Sequence, residues 1–553
     1  MAAPQSRRFS LLRSQPWLRN FVVILLVLGV FFRLYQLGGK VYWHDETMTS
    51  LRISGYTQSQ FIQQVYGGET LSAGELLARY QYPNEARGWD ETWQALAEHP
   101  EHSPAYYVLA RLWLQVAPHS VTAMRLLSAL VGLLTLPAMF WLTQALFQSP
   151  SVAWVTTALF AVSPFQVLYS QEAREYSLWT LALLVSSAAL LSARRWKGWA
   201  GYGLSAAAAL YVHPFSAFML MSHGLYVALT RKRQDWWRFA GAIALAVLLF
   251  APWLAVVMQN FGQFTGNTAS VNANRAGQMP LFWLLNLSRV FVDFNQGPSA
   301  INPVHYLLAA LAIAALINLC RSEPRQRWAF VITLVGVMGL ALIGPDVLLG
   351  GRRSSITRYA VPAYLGLQVA VGHFLAQRLV PGLPASQTPV SQTPKRRSHR
   401  AAQSHRAAHR ASHRGRWRGV AIALALGGVL SCAVSAQVPV WWHKSYAKSR
   451  RLPDVAEVVN ASDRPLLLSD RQPAGRVLTL THLLRPDVPI QLVEKPNQVD
   501  LPSEPMDLLV FLPSRGLGRR LTRQLERRGE RLEPVQFEAK ENEPWLLRTP
   551  PPE

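Results

Sequence analysis

Trp17-Leu-Arg-Asn-Phe-Val-Val-Ile-Leu-Leu-Val-Leu-Gly-Val-Phe-Phe-Arg-Leu-Tyr-Gln-Leu37 is long enough to cross a bilayer core, which takes about 20 largely apolar residues. A few residues later stands Tyr42-Trp43-His44-Asp45-Glu46-Thr47. Adjacent carboxylates beside a membrane span are costly unless they bind a charge or move a proton. Taken alone they also fit a solvated turn. The rest of the chain decides between these readings, because it repeatedly returns charged side chains to the same membrane face.

Half of the 553 residues are apolar and 19 are Trp, which excludes a series of soluble domains and points to a polytopic membrane protein with one soluble appendage. The net charge of +24 raises the question of nucleic acid. The Lys and Arg residues, however, sit in short clusters between apolar runs, the imprint of membrane topology. Cys320 and Cys432 both lie in or beside apolar runs, so neither a disulfide framework nor a thiolate metal site is expected. The first apolar run is too long for a signal-peptide core, and Leu37-Gly38-Gly39 is a poor cleavage site; it reads as an uncleaved helix.

Hydropathy places eleven spans at 17–37, 122–147, 152–168, 176–191, 198–212, 215–230, 239–258, 304–320, 328–344, 360–377 and 419–438. With the N-terminus cytoplasmic, every cluster that this count puts inside is basic: Arg194-Arg195 with Lys197, Arg231-Lys232-Arg233, Arg321 with Arg325 and Arg327, and 395–418. That is the positive-inside pattern, and it puts the C-terminus outside. The expected domains are a membrane domain over 1–438 and an extracytoplasmic α/β domain over 439–553. The membrane domain includes a long outer loop, 38–120, with a helix lying in the interface at 104–116. It also includes a polar loop, 379–418, whose His-Arg repeats read as disordered and drawn to anionic headgroups. In the appendage, 465–469, 506–512, 531–538 and 545–548 read as strands and 519–528 as an amphipathic helix. No phosphate loop or catalytic motif is evident there, so its default role is structural or substrate-presenting.

The outer face then collects Asp45, Glu46, His102, Tyr169, Glu172, Arg174, His213, Arg352, Arg353, Arg358 and Tyr359. Each has a plain structural alternative: Glu172 or Glu175 pairing with Arg174, Ser103-Pro104 starting a helix, His213 ending one. Arginines on the outer side go against the positive-inside trend, and guanidinium forks match phosphate oxygens. Such a face suits a substrate with a lipid tail, an interfacial phosphate and a protruding sugar. A carboxylate base would deprotonate an acceptor hydroxyl, and arginines would stabilise the departing phosphate.

The residues also resemble a family. Asp45-Glu46, His102-Ser103-Pro104-Ala-Tyr-Tyr, Arg125-Leu-Leu-Ser-Ala-Leu-Val-Gly, Ser163-Pro164-Phe with Tyr169-Ser-Gln-Glu-Ala-Arg-Glu-Tyr, and Arg358-Tyr359 with Pro362 are similar to the GT-C superfamily of membrane glycosyltransferases. The nearest kinds are bacterial relatives of protein O-mannosyltransferases and lipid A aminoarabinose transferases. The resemblance covers 17–378 and is most specific at 163–176. It implies a polyprenyl-phosphate sugar donor, inversion at the anomeric carbon, Asp45 as general base, Glu172 as a second acidic residue and arginines near the lipid phosphate. Ser103 stands where relatives often carry proline.

The expected function is therefore sugar transfer from a polyprenyl-phosphate donor to an acceptor hydroxyl on the extracytoplasmic face of a bacterial inner membrane. Catalysis is expected from Asp45, Glu46 and Glu172. Donor-phosphate binding falls to Arg174, Arg353, Arg358 and Tyr359, and substrate contact to His102, Tyr169 and His213. Expected partners are the lipid-linked donor, membrane lipids and an acceptor glycan, lipid or protein, without nucleic acid. Nothing in the acidic spacing demands a divalent metal, although such carboxylates can hold one. A transporter or flippase of a lipid-linked or anionic substrate would need charges near the bilayer midplane and internal repeats. A non-catalytic scaffold would leave the clustering of Asp45, Glu172 and the outer arginines without a cause.

Overall fold

The computed structural model describes residues 15–268, 276–380, 400–471, 473–499, 501, 506–537 and 544–550, with only the backbone at 400–414. The chain divides into two compact units. One is helical (Met1–Tyr35, Glu101–Ala105 and Ser128–Ala436); the other is mixed (Gln36–Pro100, Tyr106–Leu127 and Gln437–Glu553).

Every segment read as a span is helical. Among the described residues, seven helices are long and apolar enough to cross a membrane: Pro16–Leu34, Val121–Phe147, Arg233–Gln259, Pro303–Ser322, Arg325–Leu348, Thr357–Leu379 and Gly415–Gln437. An eighth results if Pro150–Ala161 and Pro164–Ser170, bent by 62°, count as one span. Tyr176–Ser192 and Ser216–Thr230 are apolar but shorter, and Trp196–Val212 completes the set of expected positions. Small residues let these helices approach closely. A Cβ on Gly372 would fall 2.3 Å from Thr156 Oγ1, and one on Gly29 would fall 2.6 Å from the Ala161 carbonyl oxygen. The same contact carries Arg33, fully buried, which donates to the carbonyls of Gly29 at 2.8 Å and Ala161 at 2.6 Å.

Two segments read as loops are otherwise. From Arg400 onward the His/Arg tract is helical and runs into the last span as one helix, Arg400–Gln437, while 381–399 lie outside the described residues. Alanine and arginine are strong helix formers and the tract holds no proline, which overrides its polarity. The polar stretch 259–302 likewise carries helices Phe261–Thr268 and Met279–Arg289.

The mixed unit is built on a six-stranded sheet, in the order β1 (Gly67–Ser72), β3 (Pro489–Val493), β2 (Pro465–Asp470), β4 (Asp507–Phe511), β6 (Leu546–Arg548), β5 (Glu533–Pro534). β2 is parallel to both β3 and β4; the outer pairings are antiparallel. Leucines of β2 are buried on both faces, as a central strand demands. β1 comes from the first loop and pairs with β3, with an irregular register between Gly67 and Thr70. Gly68 takes φ +96° there, a conformation open chiefly to glycine.

That pairing redraws the expected boundary. The first loop and the C-terminal residues share one core, in which Trp43, Met48, Leu51, Tyr56 and Phe61 pack with Leu452, Leu467, Leu478 and Leu509. The segment 104–116 forms helix Ala105–Leu114, with Tyr106, Tyr107, Ala110, Arg111 and Leu114 buried. Arg111 donates to the carbonyl of Ile53, to Thr92 Oγ1 at 2.9 Å and to the Arg87 carbonyl at 2.7 Å. Removal of residues 445–553 is therefore expected to leave the first loop without half its core. Size-exclusion chromatography should show aggregation, and limited proteolysis should show cleavage within 36–100. A monodisperse product with a protected first loop would restore the separable appendage.

Candidate functional site

In the mixed unit, Asp45 and Glu46 open helix His44–Ile53, with both carboxylates in its first turn, where the helix dipole favours negative charge. The sequence left this segment an irregular loop. Asp45 is partly exposed, whereas Glu46 is fully buried. Arg125, also fully buried, commits all five of its N–H donors. Nε and Nη2 grip the two oxygens of Glu46 at 2.8 Å, Nη1 reaches the carbonyls of Leu37 and Lys40 at 2.8 Å, and Nη2 reaches that of Val41 at 2.9 Å. Lys444 Nζ donates to Glu46 Oε2 at 2.7 Å, likewise without exposure.

Glu46 is thus the acceptor for two buried cations, and the carboxylate of its neighbour Asp45 is the partly exposed one of the pair. Neither Arg125 nor Lys444 drew a role from sequence: their partners lie 79 and 398 residues away.

The C-terminal residues hold this helix at further points. A Cβ on Gly475 would meet His44 Nδ1 at 2.1 Å, so any side chain there would have to displace the imidazole. Tyr42 donates to or accepts from Ser50 Oγ at 2.6 Å and meets the His482 ring edge-on at 4.6 Å. His482 Nε2 pairs with Gln81 Oε1 at 3.0 Å, and Gln81 Nε2 donates to the Thr47 carbonyl at 3.3 Å. Burial pushes His482 down to about 3, and Arg125 adds to this while Glu46 opposes it; the ring is neutral at pH 7. Burial, reinforced by Glu46, pushes Tyr42 well above the ordinary tyrosine range.

In the helical unit, residues 171–175 turn between Pro164–Ser170 and Tyr176–Ser192, and the turn is buried throughout. Arg174 and Arg358 converge on one ring: their guanidinium carbons lie 5.9 and 5.8 Å from the centroid of Tyr176. Arg174 also pairs with Glu175 at 3.0 Å. Tyr169 packs against Phe165 at 4.8 Å and Tyr176 at 5.0 Å, and its charged neighbours are Glu172, Arg358 and Arg289. His213 follows helix Trp196–Val212 and stacks on Trp179 at 4.0 Å. Burial, then Arg174 and Arg358, push His213 down to about 3, so it stays neutral between two cations.

The remaining expected residues divide. Tyr359 lies against Phe215 at 5.0 Å, with the Arg358 guanidinium 6.0 Å from its ring. Arg353 pairs with buried Asp346 at 3.3 Å, whose other oxygen accepts from the Ser354 amide and hydroxyl at 2.7 Å. A local carboxylate thus accounts for this arginine's place against the positive-inside trend. His102 sits 3.8 Å from Glu101, and Ser103 donates to the Leu210 carbonyl at 2.9 Å. Arg289, which sequence reading left in a polar loop, is buried, bonded to Asn286 Oδ1 at 3.2 Å and to the Gln296 carbonyl at 3.1 Å. Among the described residues no three His, Cys, Asp or Glu side chains come together as a metal site would require.

Residues 99–256 match the family model described as dolichyl-phosphate-mannose-protein mannosyltransferase. Among solved structures the chain is similar to ArnT from Cupriavidus metallidurans bound to undecaprenyl phosphate, with 14% identity and a TM-score of 0.53 over 97% of this chain and 98% of that one. The apo state of the same protein gives the same figures. No curated protein sequence matches the chain. The likeness to ArnT spans nearly the whole of both chains and is one of fold, and the family match is confined to residues 99–256.

Proposed function

We propose that the protein transfers a sugar from a polyprenyl-phosphate donor to an acceptor hydroxyl, with inversion, on the extracytoplasmic face of a bacterial inner membrane. The observation that carries the donor class is the pair Arg174 and Arg358, set on the Tyr176 ring beside a neutral histidine. ArnT bound to undecaprenyl phosphate, a protein of the same fold, supports it.

Asp45 takes the proton of the acceptor hydroxyl. That oxygen bonds to the anomeric carbon as the bond from this carbon to the phosphate oxygen breaks, and the phosphate leaves with the electron pair. Arg174 and Arg358 meet the charge that develops on it. Tyr169, Glu172, His213 and Tyr359 flank that pair of arginines. His102 contacts substrate from the loop before helix Ala105–Leu114. Arg353 drops out of the phosphate set because Asp346 holds it, and Glu46 acts by fixing the helix that presents Asp45. The basic clusters at 194–197, 231–233 and 321–327 support an N-terminus in the cytoplasm.

Loss of a hydrogen bond to a charged group costs about 1.5–3 kcal/mol. Arg358→Ala should therefore raise the donor KM by about tenfold or more, and Arg358→Lys by less, because the point charge survives without the fork. Unchanged donor kinetics with alanine at both Arg174 and Arg358 would remove the phosphate role.

A further inference from the structure

Within the helical unit, a cleft of about 400 Å³ opens where three interhelical turns meet, following Tyr176–Ser192, Ser216–Thr230 and Pro303–Ser322. Its rim is cationic: Arg194, Arg231, Lys232 and Arg327. Beneath them lie Leu146, Leu191 and Tyr226. Arg231 is set in place by its donation to the Leu191 carbonyl at 3.4 Å and by the Tyr226 ring, 6.0 Å from its guanidinium carbon.

The cleft's acidic lining is already neutralised. Asp235 is held by Arg238 at 3.1 Å, and Arg327 is paired with Glu323 at 2.7 Å, which also meets His373 at 2.8 Å. Arg194, Arg231 and Lys232 have no carboxylate partner among the described residues. A second feature fixes the depth of the cleft. The helices that follow two of these turns, Trp196–Val212 and Arg233–Gln259, expose Trp196 (72%) and Trp237 (73%) near their starts, and tryptophan at such positions sits at the headgroup level of a membrane. A cationic rim at headgroup depth above an apolar floor matches an amphiphile with a phosphate at its neck.

We propose that this cleft binds the phosphate headgroup of an anionic membrane phospholipid, with Arg194, Arg231 and Lys232 on the phosphate and the upper acyl carbons against Leu146 and Leu191. The site is independent of the sugar-transfer reading and concerns the face that carries the basic turns.

Native mass spectrometry of the full chain in detergent, titrated with phosphatidylglycerol, tests it. One lipid should bind ahead of the rest, and phosphatidylcholine should not replace it. Each basic residue near an anionic surface contributes roughly fivefold, so Arg194→Gln/Arg231→Gln/Lys232→Gln together should weaken that first binding by about a hundredfold. Arg195→Gln/Arg233→Gln/Arg325→Gln removes the same charge from neighbouring positions outside the cleft and should leave it intact. Equal weakening in both triple variants would overturn the site in favour of general surface charge. Displacement by inorganic phosphate at matched concentration would overturn the lipid in favour of a soluble phosphate. Should the first triple fail to fold, Lys232→Gln alone, at an exposed position, is expected to weaken binding about fivefold; unchanged affinity there overturns the proposal.

Discussion

Asp45→Asn is expected to slow sugar transfer at least a hundredfold while leaving the protein folded and able to bind donor. The change keeps size and most hydrogen-bonding geometry but removes basicity, and loss of a general base typically costs about 10²–10⁴-fold in rate. Asp45 is partly exposed in the first turn of helix His44–Ile53, unlike the fully buried Glu46 beside it. Near-wild-type transfer by the purified variant would refute the assignment. Glu46→Gln removes the carboxylate that Arg125 and Lys444, both wholly buried, share, so its effect should appear first as lost stability.

Arg125→Met should have the largest effect on folding. Removing one partner of a buried ion pair costs about 3–5 kcal/mol; Lys444 stays on Glu46 Oε2, but both carboxylate oxygens lose their Arg125 donors. Here the carbonyls of Leu37, Lys40 and Val41 lose their donors as well. The expected result is a sharp loss of folded material and a lowered thermal midpoint, with Arg125→Lys intermediate because one ammonium cannot replace a five-donor fork. Lys444→Met should cost more in that background than alone, since it then removes the second of the two cations that hold the buried Glu46 carboxylate. A thermal midpoint unchanged by Arg125→Met would mean that this network does not hold the acidic helix.

What the sequence disclosed, it disclosed through periodicity and charge. Long apolar runs such as Pro303–Ser322 and Arg325–Leu348 are visible because lipid demands apolar length. Strands β2 and β4 are visible because central strands are continuously apolar. β1 was not visible: Gly67-Gly-Glu-Thr-Leu-Ser has no alternation, and edge pairing with β3 alone makes it a strand. That pairing, together with Lys444 on Glu46 and Gly475 against His44, is why residues 439–553 could not be read as separate.

The candidate site is named in the sequence by residue type and not by partnership. Asp45, Arg174, Arg358 and His213 were picked out as chemically able. Only coordinates could distinguish Arg358, stacked by Tyr176, from Arg353, held by Asp346. Arg289 was lost because its stretch looked like loop, yet it lies close enough to Tyr169 and Tyr364 to influence both electrostatically.

The central claim is tested most directly by lipid mass spectrometry of cells in which Asp45→Asn replaces the wild-type residue. One polyprenyl-phosphate sugar should accumulate while one sugar modification of a glycan, lipid or protein disappears. Cells in which the variant is present at normal levels and both inventories match wild type would contradict sugar transfer by this protein.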